Sequence, residues 1–226
     1  LNADGMTPIQ ADLDNINAIN DKAGIIEAMA ELAGSAYFQF YVGADIMDSK
    51  TNIFQLYQGG IGLGEKEYYL EDDEATKNIR EGYKAHIVKM FQLIGQDEKQ
   101  ATKSMEAVME IETRLAKKSF NAVEQRNPAA NYHMLTLDEL KKQIPGFDWD
   151  AYINAVGVKG VTSLNVSQIE PVQEAVAIIN ELPMDKQKAY LQWKLIDSAA
   201  SYLSDAFVAQ NFEFYGKVMS GKKEDQ

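Results

Sequence analysis

Residues 79–115, IREGYKAHIVKMFQLIGQDEKQATKSMEAVMEIETRL, repeat apolar side chains at intervals of three and four residues on both sides of Gly95. This spacing places the apolar side chains on one face of an α-helix. Gly95 is typical of a helix end in the left-handed conformation, and Asp97 with Gln100 has the spacing of a capping box that begins the next helix. The stretch therefore predicts two consecutive amphipathic helices and a mainly α-helical fold.

Helical periodicity continues outward from this stretch in both directions. Further apolar runs each follow a residue that is typical of a helix start. These residues are Thr7, Asp21, Thr136 and Asp148. Pro171 fits the first turn of another helix, which Pro183 ends. We expect the longest helix over residues 185–215, about 45 Å at 1.5 Å per residue, because an apolar stripe runs through it.

One segment changes from helical to alternating periodicity. Apolar residues alternate from Phe38 to Val42, residues 48–50 read Asp-Ser-Lys, and residues 53–57 are rich in β-formers. Alternation, turn chemistry and β-formers in this order are typical of two strands joined by a turn. They predict a β-hairpin over about residues 38–58, the only sheet that the sequence indicates.

The remainder of the chain shows no internal repeat and no low-complexity linker. Residues 157–168 are expected to form a loop with extended character. We therefore predict a single domain over residues 1–226, mainly α and helical bundle-like, with one small β-hairpin.

Composition excludes several classes of protein. Lys and Arg number 22 and Asp and Glu 34, so the formal net charge is 22 − 34 = −12. A chain this acidic, with no basic run, is expected to bind neither nucleic acid nor an anionic membrane surface. The absence of cysteine excludes disulfides, thiolate metal sites and cysteine nucleophiles. No apolar run reaches the roughly 18–20 residues that cross a bilayer, so no membrane segment is expected in this chain.

Both ends of the sequence resemble cuts through a longer polypeptide. The chain begins LNAD, without an initiator Met or the basic and apolar regions of a signal peptide. It ends SGKKEDQ, which is typical of a solvated tail or linker. We therefore expect a fragment of a larger protein.

The two histidines, His86 and His133, are the first candidates for a metal site. Zinc hydrolases place two histidines four residues apart in His-Glu-x-x-His, so that both project to one side of a helix. Position 90, four residues after His86, is Met90, and His133 has no partner at that spacing either. We expect both to be ordinary core-edge or surface histidines. The alternative, a metal held by both histidines and carboxylates, remains open.

Residues 59–64, Gly-Gly-Ile-Gly-Leu-Gly, match neither nucleotide-binding pattern. Counted from Gly60, the sixth position of the dinucleotide fingerprint is Glu65 instead of glycine. No Gly-Lys-Ser/Thr follows for a Walker motif, and the neighbouring glutamates would repel phosphate. A tight structural loop that leaves the hairpin is the favoured interpretation.

The remaining polar candidates also favour structural roles. Asp12 and Asp14 lack the glycine of an EF-hand loop, and Ser35 lacks the G-x-S-x-G elbow of a nucleophile. Asp148 and Asp150 are expected as a helix cap and a solvated first turn. Asn165 begins a chance-level glycosylation sequon. No catalytic, cofactor-binding or metal-binding residue is therefore predicted in this chain.

Several stretches, taken together, resemble the neprilysin-like zinc metallopeptidases. They occur in the order expected for that family and run from about residue 36 to residue 214. The matching stretches are FYVGAD (40–45), GGIGLGEKEYYL (59–70), IETRLA (111–116), RNP (126–128), NYHMLT (131–136), FDW (147–149) and YLQW (190–193).

The resemblance implies a two-lobed endopeptidase of which this chain is one part. Family members carry His-Glu-x-x-His, a downstream glutamate ligand and an Asn-Ala-Tyr motif in a C-terminal catalytic lobe, and none of these occurs here. The matched part corresponds to the N-terminal helical lobe, which caps the catalytic lobe and encloses the chamber that limits substrate size. The resemblance thus implies a non-catalytic cap lobe, inactive alone, with zinc in the absent lobe.

Partners and compartment follow from the same resemblance. The partners are the catalytic lobe of the same polypeptide and the peptide substrates of the parent enzyme. Animal members depend on disulfides, so a chain without cysteine points to a bacterial relative. An extracytoplasmic location (periplasmic, secreted or lipoprotein) is implied. A free-standing acidic helical module that binds a partner protein is the alternative. An excised cap should also expose an apolar patch larger than a few hundred Å² where the catalytic lobe docked.

Overall fold

The computed structural model describes residues 5–220, which form ten α-helices and four β-strands. The helices are α1 Thr7–Asn17, α2 Lys22–Glu31, α3 Glu67–Leu70, α4 Glu74–Leu93, α5 Glu98–Lys118, α6 Leu137–Gln143, α7 Trp149–Ala155, α8 Ile169–Glu181, α9 Met184–Ala199 and α10 Asp205–Asn211. The strands are β1 Phe38–Asp45, β2 Asp48–Gln58, β3 Met134–Thr136 and β4 Ser163–Val166. The mainly α class is confirmed. Of the chain ends discussed above, residues 1–4 and 221–226 lie outside the described residues.

Contacts group the chain into two units. One, the helical unit, consists of Leu1–Asn20, Tyr68–Ile111 and Pro183–Gln226. The other, the sheet unit, consists of Asp21–Glu67 and Glu112–Leu182, and within residues 5–220 it contains all four strands.

The helical unit is built on the stretch that predicted the fold. Asp73 accepts a hydrogen bond from the Thr76 backbone N–H at 2.9 Å and begins α4. Gly95 has φ of 104°, and the Gln96 N–H returns to the Phe91 carbonyl at 3.1 Å, which ends the helix. Both predicted helices are therefore confirmed.

An aromatic core holds α4 against α9. Tyr83 is fully buried on α4, and its hydroxyl accepts a hydrogen bond from the Trp193 Nε1–H at 2.9 Å. The two rings meet edge to face at 5.9 Å between centroids, and Phe214 lies 5.5 Å from Tyr83. Buried aromatic pairs of this geometry stabilise a core beyond their burial, since edge and face carry opposite partial charges.

The prediction of one long helix over residues 185–215 was wrong. α9 ends at Ala199, a 3₁₀ turn covers Ala200–Tyr202, α10 follows, and Phe212–Met219 is π-helical. Tyr202, which the sequence places in the apolar stripe, is 73% exposed. Leu203 adopts an extended backbone at the break. The Ser204 carbonyl then accepts the Val208 N–H at 3.1 Å, at the start of α10. The break allows Leu203 and Phe207 both to be buried.

The sheet of the sheet unit has the order β1-β2-β4-β3. β1 and β2 form the predicted hairpin, antiparallel with Phe38 opposite Gln58, and its bounds match the prediction. β4 pairs parallel with β2, and β3 pairs antiparallel with β4. The hairpin is therefore half of a mixed four-stranded sheet, and β4 lies inside the stretch expected to be a loop.

The glycine-rich loop after β2 packs on the C-terminal part of α5. The Gly62 N–H donates to a carboxylate oxygen of Glu112 at 2.8 Å, and Glu112 is fully buried. Lys66 Nζ donates to the Ser119 carbonyl at 2.6 Å. Gly60 and Gly64 have φ of 79° and 83°, a region that favours glycine. The loop is structural, as predicted.

Replacing Glu112 by alanine should lower the free energy of unfolding by roughly 2 kcal/mol or more. Hydrogen bonds to charged groups contribute about 1.5–3 kcal/mol, and the substitution leaves the half-buried Gly62 N–H without its acceptor. The matched control is Glu106→Ala on the exposed side of the same helix, for which a change within about 0.5 kcal/mol is expected. Equal effects of the two substitutions in denaturant titrations would contradict this role of Glu112.

Candidate functional site

His86, the first candidate metal ligand, lies inside the aromatic core of the helical unit. It is 2% exposed and stacks on Phe214 at 5.0 Å and 18° between ring planes. Trp193 and Tyr215 approach it edge to face, at 5.5 and 5.4 Å. The imidazole is therefore enclosed by aromatic rings, an apolar environment that disfavours a charged group.

The hydrogen bonding of His86 also indicates a neutral imidazole. Its Nδ1 lies 3.0 Å from the Nε2 amide of Gln210, which can only donate, so Nδ1 accepts. Its Nε2 is buried with no hydrogen-bond partner. Burial, and secondarily the positive charge of Lys89, lower the pKa of His86 from 6.5 to about 4. His86 is thus a neutral core histidine.

His133 lies in the sheet unit, beside the start of β3. Its backbone N–H donates to the side-chain oxygen of Asn165 at 2.7 Å, and its Nδ1 lies 2.8 Å from the Val166 carbonyl. Residues 5–220 contain no group of three or more His, Asp or Glu side chains that could hold a metal ion. The structure therefore does not bring the two histidines and carboxylates together as the metal-site alternative requires.

The candidate carboxylates occupy the positions expected of structural residues. Asp148 accepts a hydrogen bond from the Ala151 N–H at 3.0 Å and caps α7, as predicted. Asp150 forms an exposed ion pair with Lys141 at 2.8 Å. Asp14 pairs with Gln10 on the exposed side of α1. These contacts assign the acidic candidates to helix ends and solvated faces.

Ser35 and the sequon are also accounted for by the structure. The Ser35 hydroxyl is buried without a hydrogen-bond partner, and no base is bonded to it. Asn165 is 3% exposed, and its amide lies within a network with Gln55, Asn131 and Ser167. The sequon is therefore inaccessible in the folded chain.

The distal half of the β1–β2 hairpin, residues 41–52, is a projecting arm that sequence reasoning did not single out. We call it the hairpin arm. Its first two residues and its tip expose large apolar side chains, with exposed fractions of 53% for Tyr41, 49% for Val42, 62% for Ile46 and 74% for Met47. The signal in the sequence was the Ile46-Met47 pair within a turn, where polar residues are usual.

Side-chain hydrogen bonds brace the tip of the arm. Both carboxylate oxygens of the buried Asp45 accept from the Tyr132 hydroxyl, at 2.9 and 3.1 Å. Burial and then the hydrogen bond to Asp45 raise the pKa of Tyr132. Asp48 accepts from the Thr51 hydroxyl at 2.6 Å and from the Lys50 N–H at 3.2 Å, which lowers the pKa of Asp48.

A groove of about 650 Å³ also opens in the sheet unit, between α2 and α7. Ile26, Ala30 and Phe147 contribute apolar side chains to it, and the carboxylates of Glu27 and Glu31 line it as well. Within residues 5–220, the acidic side chains of the arm and of the groove belong to no group of three or more that could hold a metal ion. We therefore consider both as surfaces for contact.

Of the described helices, none combines the length and the apolar composition that crossing a bilayer requires.

Comparisons with known proteins place this chain among peptidases. The model of the N-terminal part of peptidase family M13 matches residues 1–226. Endothelin-converting enzyme 1 of Rattus norvegicus is 28% identical over 198 residues, which cover 84% of this chain and 25% of the relative. The Homo sapiens enzyme is 27% identical with the same coverage. The chain thus spans about a quarter of the length of these curated relatives.

Solved structures agree with the sequence relatives. The Mycobacterium tuberculosis zinc metalloprotease Zmp1, solved by cryo-electron microscopy in an open state, is 28% identical with a TM-score of 0.92. The crystal structure of Zmp1 with an inhibitor gives the same values. In both, the match covers 99% of this chain and 35% of the longer one.

The neutral state of His86 predicts a loss of stability in acid. Its pKa in the folded chain, about 4, lies below the unfolded value of 6.5, so the folded state binds fewer protons between these values. The stability that depends on neutral His86 is present above about pH 6.5 and is lost as the pH falls toward 4, by roughly 3 kcal/mol. Unfolding free energies of the wild type and His86→Phe across this range measure it. Parallel pH profiles for the two proteins would refute the assignment.

Proposed function

This chain belongs to peptidase family M13, as its N-terminal domain, and from that premise we propose that it is the non-catalytic cap lobe of a zinc metalloendopeptidase. The observation that carries the proposal is the family match over residues 1–226. The resemblance to neprilysin-like metallopeptidases is confirmed at the level of the family. In the solved relatives, the matched part is about a third of one longer chain.

The proposed role of the lobe is steric. A cap that covers the mouth of a catalytic cleft admits short, extended peptides and excludes folded proteins, because a folded domain cannot pass a narrow opening. Such a lobe needs rigid surfaces, and it needs no reactive side chain of its own. The core histidine, the capping aspartates and the structural glycine loop described above suit that role.

The zinc of the parent enzyme belongs, in this proposal, to the catalytic lobe. His-Glu-x-x-His occurs nowhere in the 226 residues, and neither histidine of this chain is grouped with two further ligands in the described part. Zinc in the catalytic lobe would activate water for peptide hydrolysis. The residues of this chain would then bound the chamber in which the peptide lies, and residues 1–226 would act together as one lobe.

The partners in the proposal are the catalytic lobe of the same polypeptide and the peptide substrates of the parent. The location we propose is extracytoplasmic. It rests on the family resemblance alone. The absence of cysteine points to a bacterial relative rather than to the disulfide-dependent animal members, and it carries no information on the compartment.

Activity should therefore reside in the whole protein and be absent from this chain alone. Purified residues 1–226 are expected to hydrolyse a quenched fluorescent peptide no faster than buffer, whereas the whole protein hydrolyses it in a chelator-sensitive manner. Calorimetric titration of the chain with Zn²⁺ should give no tight binding. The matched control is the whole protein with the glutamate of its His-Glu-x-x-His changed to glutamine.

Two results would overturn the proposal. Chelator-sensitive hydrolysis by residues 1–226 alone would show that catalysis does not need the second lobe. A parent reading frame without His-Glu-x-x-His downstream of this region would favour the free-standing acidic module instead. The size limit is tested separately. The whole protein should cleave short peptides and should leave intact a folded protein that contains the same peptide sequences.

A further inference from the structure

The hairpin arm concentrates exposed apolar surface in one small element. Nine large hydrophobic residues of the described chain are exposed, and four of them, Tyr41, Val42, Ile46 and Met47, fall within seven consecutive positions. Consecutive strand residues face opposite sides of a sheet. Because Tyr41 and Val42 are both about half exposed, both faces of the arm are open.

The arm is braced by contacts of its own in spite of this exposure. The bonds of Asp45 and Asp48 described above hold its turn, and the Tyr41 ring lies across Gly43, so close that a Cβ added there would stand 2.2 Å from the ring. An isolated two-stranded hairpin is only marginally stable in water. A surface ordered in advance loses little conformational entropy when it binds. The arm therefore has the properties of a prepared contact surface.

The arm also presents an open sheet edge. β1 is the outer strand of the sheet, and within residues 5–220 no further strand pairs with its free side. Proteins protect such edges with lysine, proline or inward-pointing charges, or cover them. Residues 38–44, FQFYVGA, contain no charge and no proline, and the one register shift falls at Ala44/Asp45, near the tip. The protective features are thus confined to the tip, at the buried Asp45, and the edge from Phe38 to Ala44 has no charged residue or proline.

We propose that the hairpin arm docks onto the catalytic lobe of the same polypeptide, with Ile46 and Met47 as the apolar anchors. The inference rests on the proposed function, because the catalytic lobe is the partner that the proposed function supplies. The solved relatives hold 100 − 35 = 65% of their chain beyond the matched part. They match 99% of this chain, so the match includes almost all of its elements.

A covalently linked lobe fits the arm better than a second copy of this chain. A linked partner is present at a high effective concentration whatever the protein concentration. It can therefore cover the edge at any protein concentration, whereas a second copy would cover it only at high concentration. An edge that a linked lobe covers has less need of a charged residue or proline against aggregation, which accounts for the composition of residues 38–44.

Photo-crosslinking in the whole protein tests the inference. A benzophenone side chain is introduced at Met47, or as a control at Val123, which is also in the sheet unit and is 72% exposed. After irradiation, mass spectrometry should map the Met47 cross-link to sequence beyond residue 226, with a yield at least tenfold above that of Val123. Cross-links within residues 1–226, cross-links to a second copy, or equal yields at the two sites would overturn the inference.

A kinetic comparison tests the inference without the benzophenone side chain, which could itself disturb the contact. Met47→Asp in the whole protein should lower kcat/KM for peptide hydrolysis at least tenfold, because a carboxylate would lose its hydration in an apolar contact. Val123→Asp should leave kcat/KM within twofold of the wild type. If the unmodified protein hydrolyses peptides but Met47→Asp behaves like Val123→Asp, the arm inference fails and the proposed function stands. If the unmodified protein has no chelator-sensitive activity, the proposed function fails.

Discussion

The hydrogen bond between the Gly62 N–H and the carboxylate of the buried Glu112 is the constraint on which the sheet unit depends. It ties the loop after β2 to α5, and Gln58 adds a reciprocal pair of bonds with the Phe120 backbone, at 2.7 and 3.0 Å. β2 is the strand that pairs with both β1 and β4. Fixing the end of β2 therefore fixes the register of the sheet, because a slip by one residue would turn every buried side chain outward.

The position of the hairpin arm depends on this contact, because the arm is the distal part of β1 and β2. Its base, around Phe38, packs in an aromatic cluster with Phe147, Trp149 and Tyr152, at centroid distances of 5.2–5.9 Å. Phe38 and Leu56 are fully buried, whereas most residues beyond Tyr41 are exposed. The arm is thus a short projection from a rigid base, and its tip is held by Asp45 and Tyr132. Rigidity at both ends allows a marginal two-stranded segment to remain ordered.

The features that were predictable from the sequence are those set by neighbouring residues. The caps at Asp21, Asp97 and Thr136 each accept a backbone N–H three residues ahead, and the helices begin there as expected. The hairpin bounds were correct for the same reason, since alternation and turn chemistry are local. Local patterns therefore suffice for most of the helices and for β1 and β2.

The features that were missed depend on residues far apart in the chain. β3 and β4 have three and four residues, too few for a periodic signal, and β4 is a strand because it pairs with β2 more than a hundred positions earlier. The contact between Asp45 and Tyr132 spans 87 positions. Tyr202 continues the apolar stripe in the sequence, but its side chain is exposed in the structure. Tertiary packing decided each of these cases against the local pattern.

The chemistry of the chain follows the same division between local pattern and tertiary environment. A histidine in a helix is compatible with a metal ligand until its surroundings are known, and around His86 they are aromatic on three sides. A neutral imidazole there fills the core as a polarisable ring. Conversely, Ile46 and Met47 depart from the polar residues that are usual in a turn, and their exposed position at the end of β1 gives them the role that we propose. In the cap lobe that we propose, function lies in exposed apolar surface, because an apolar side chain left in water loses the favourable free energy of burial. A rigid arm that exposes several such residues is most simply explained by a partner that completes their burial.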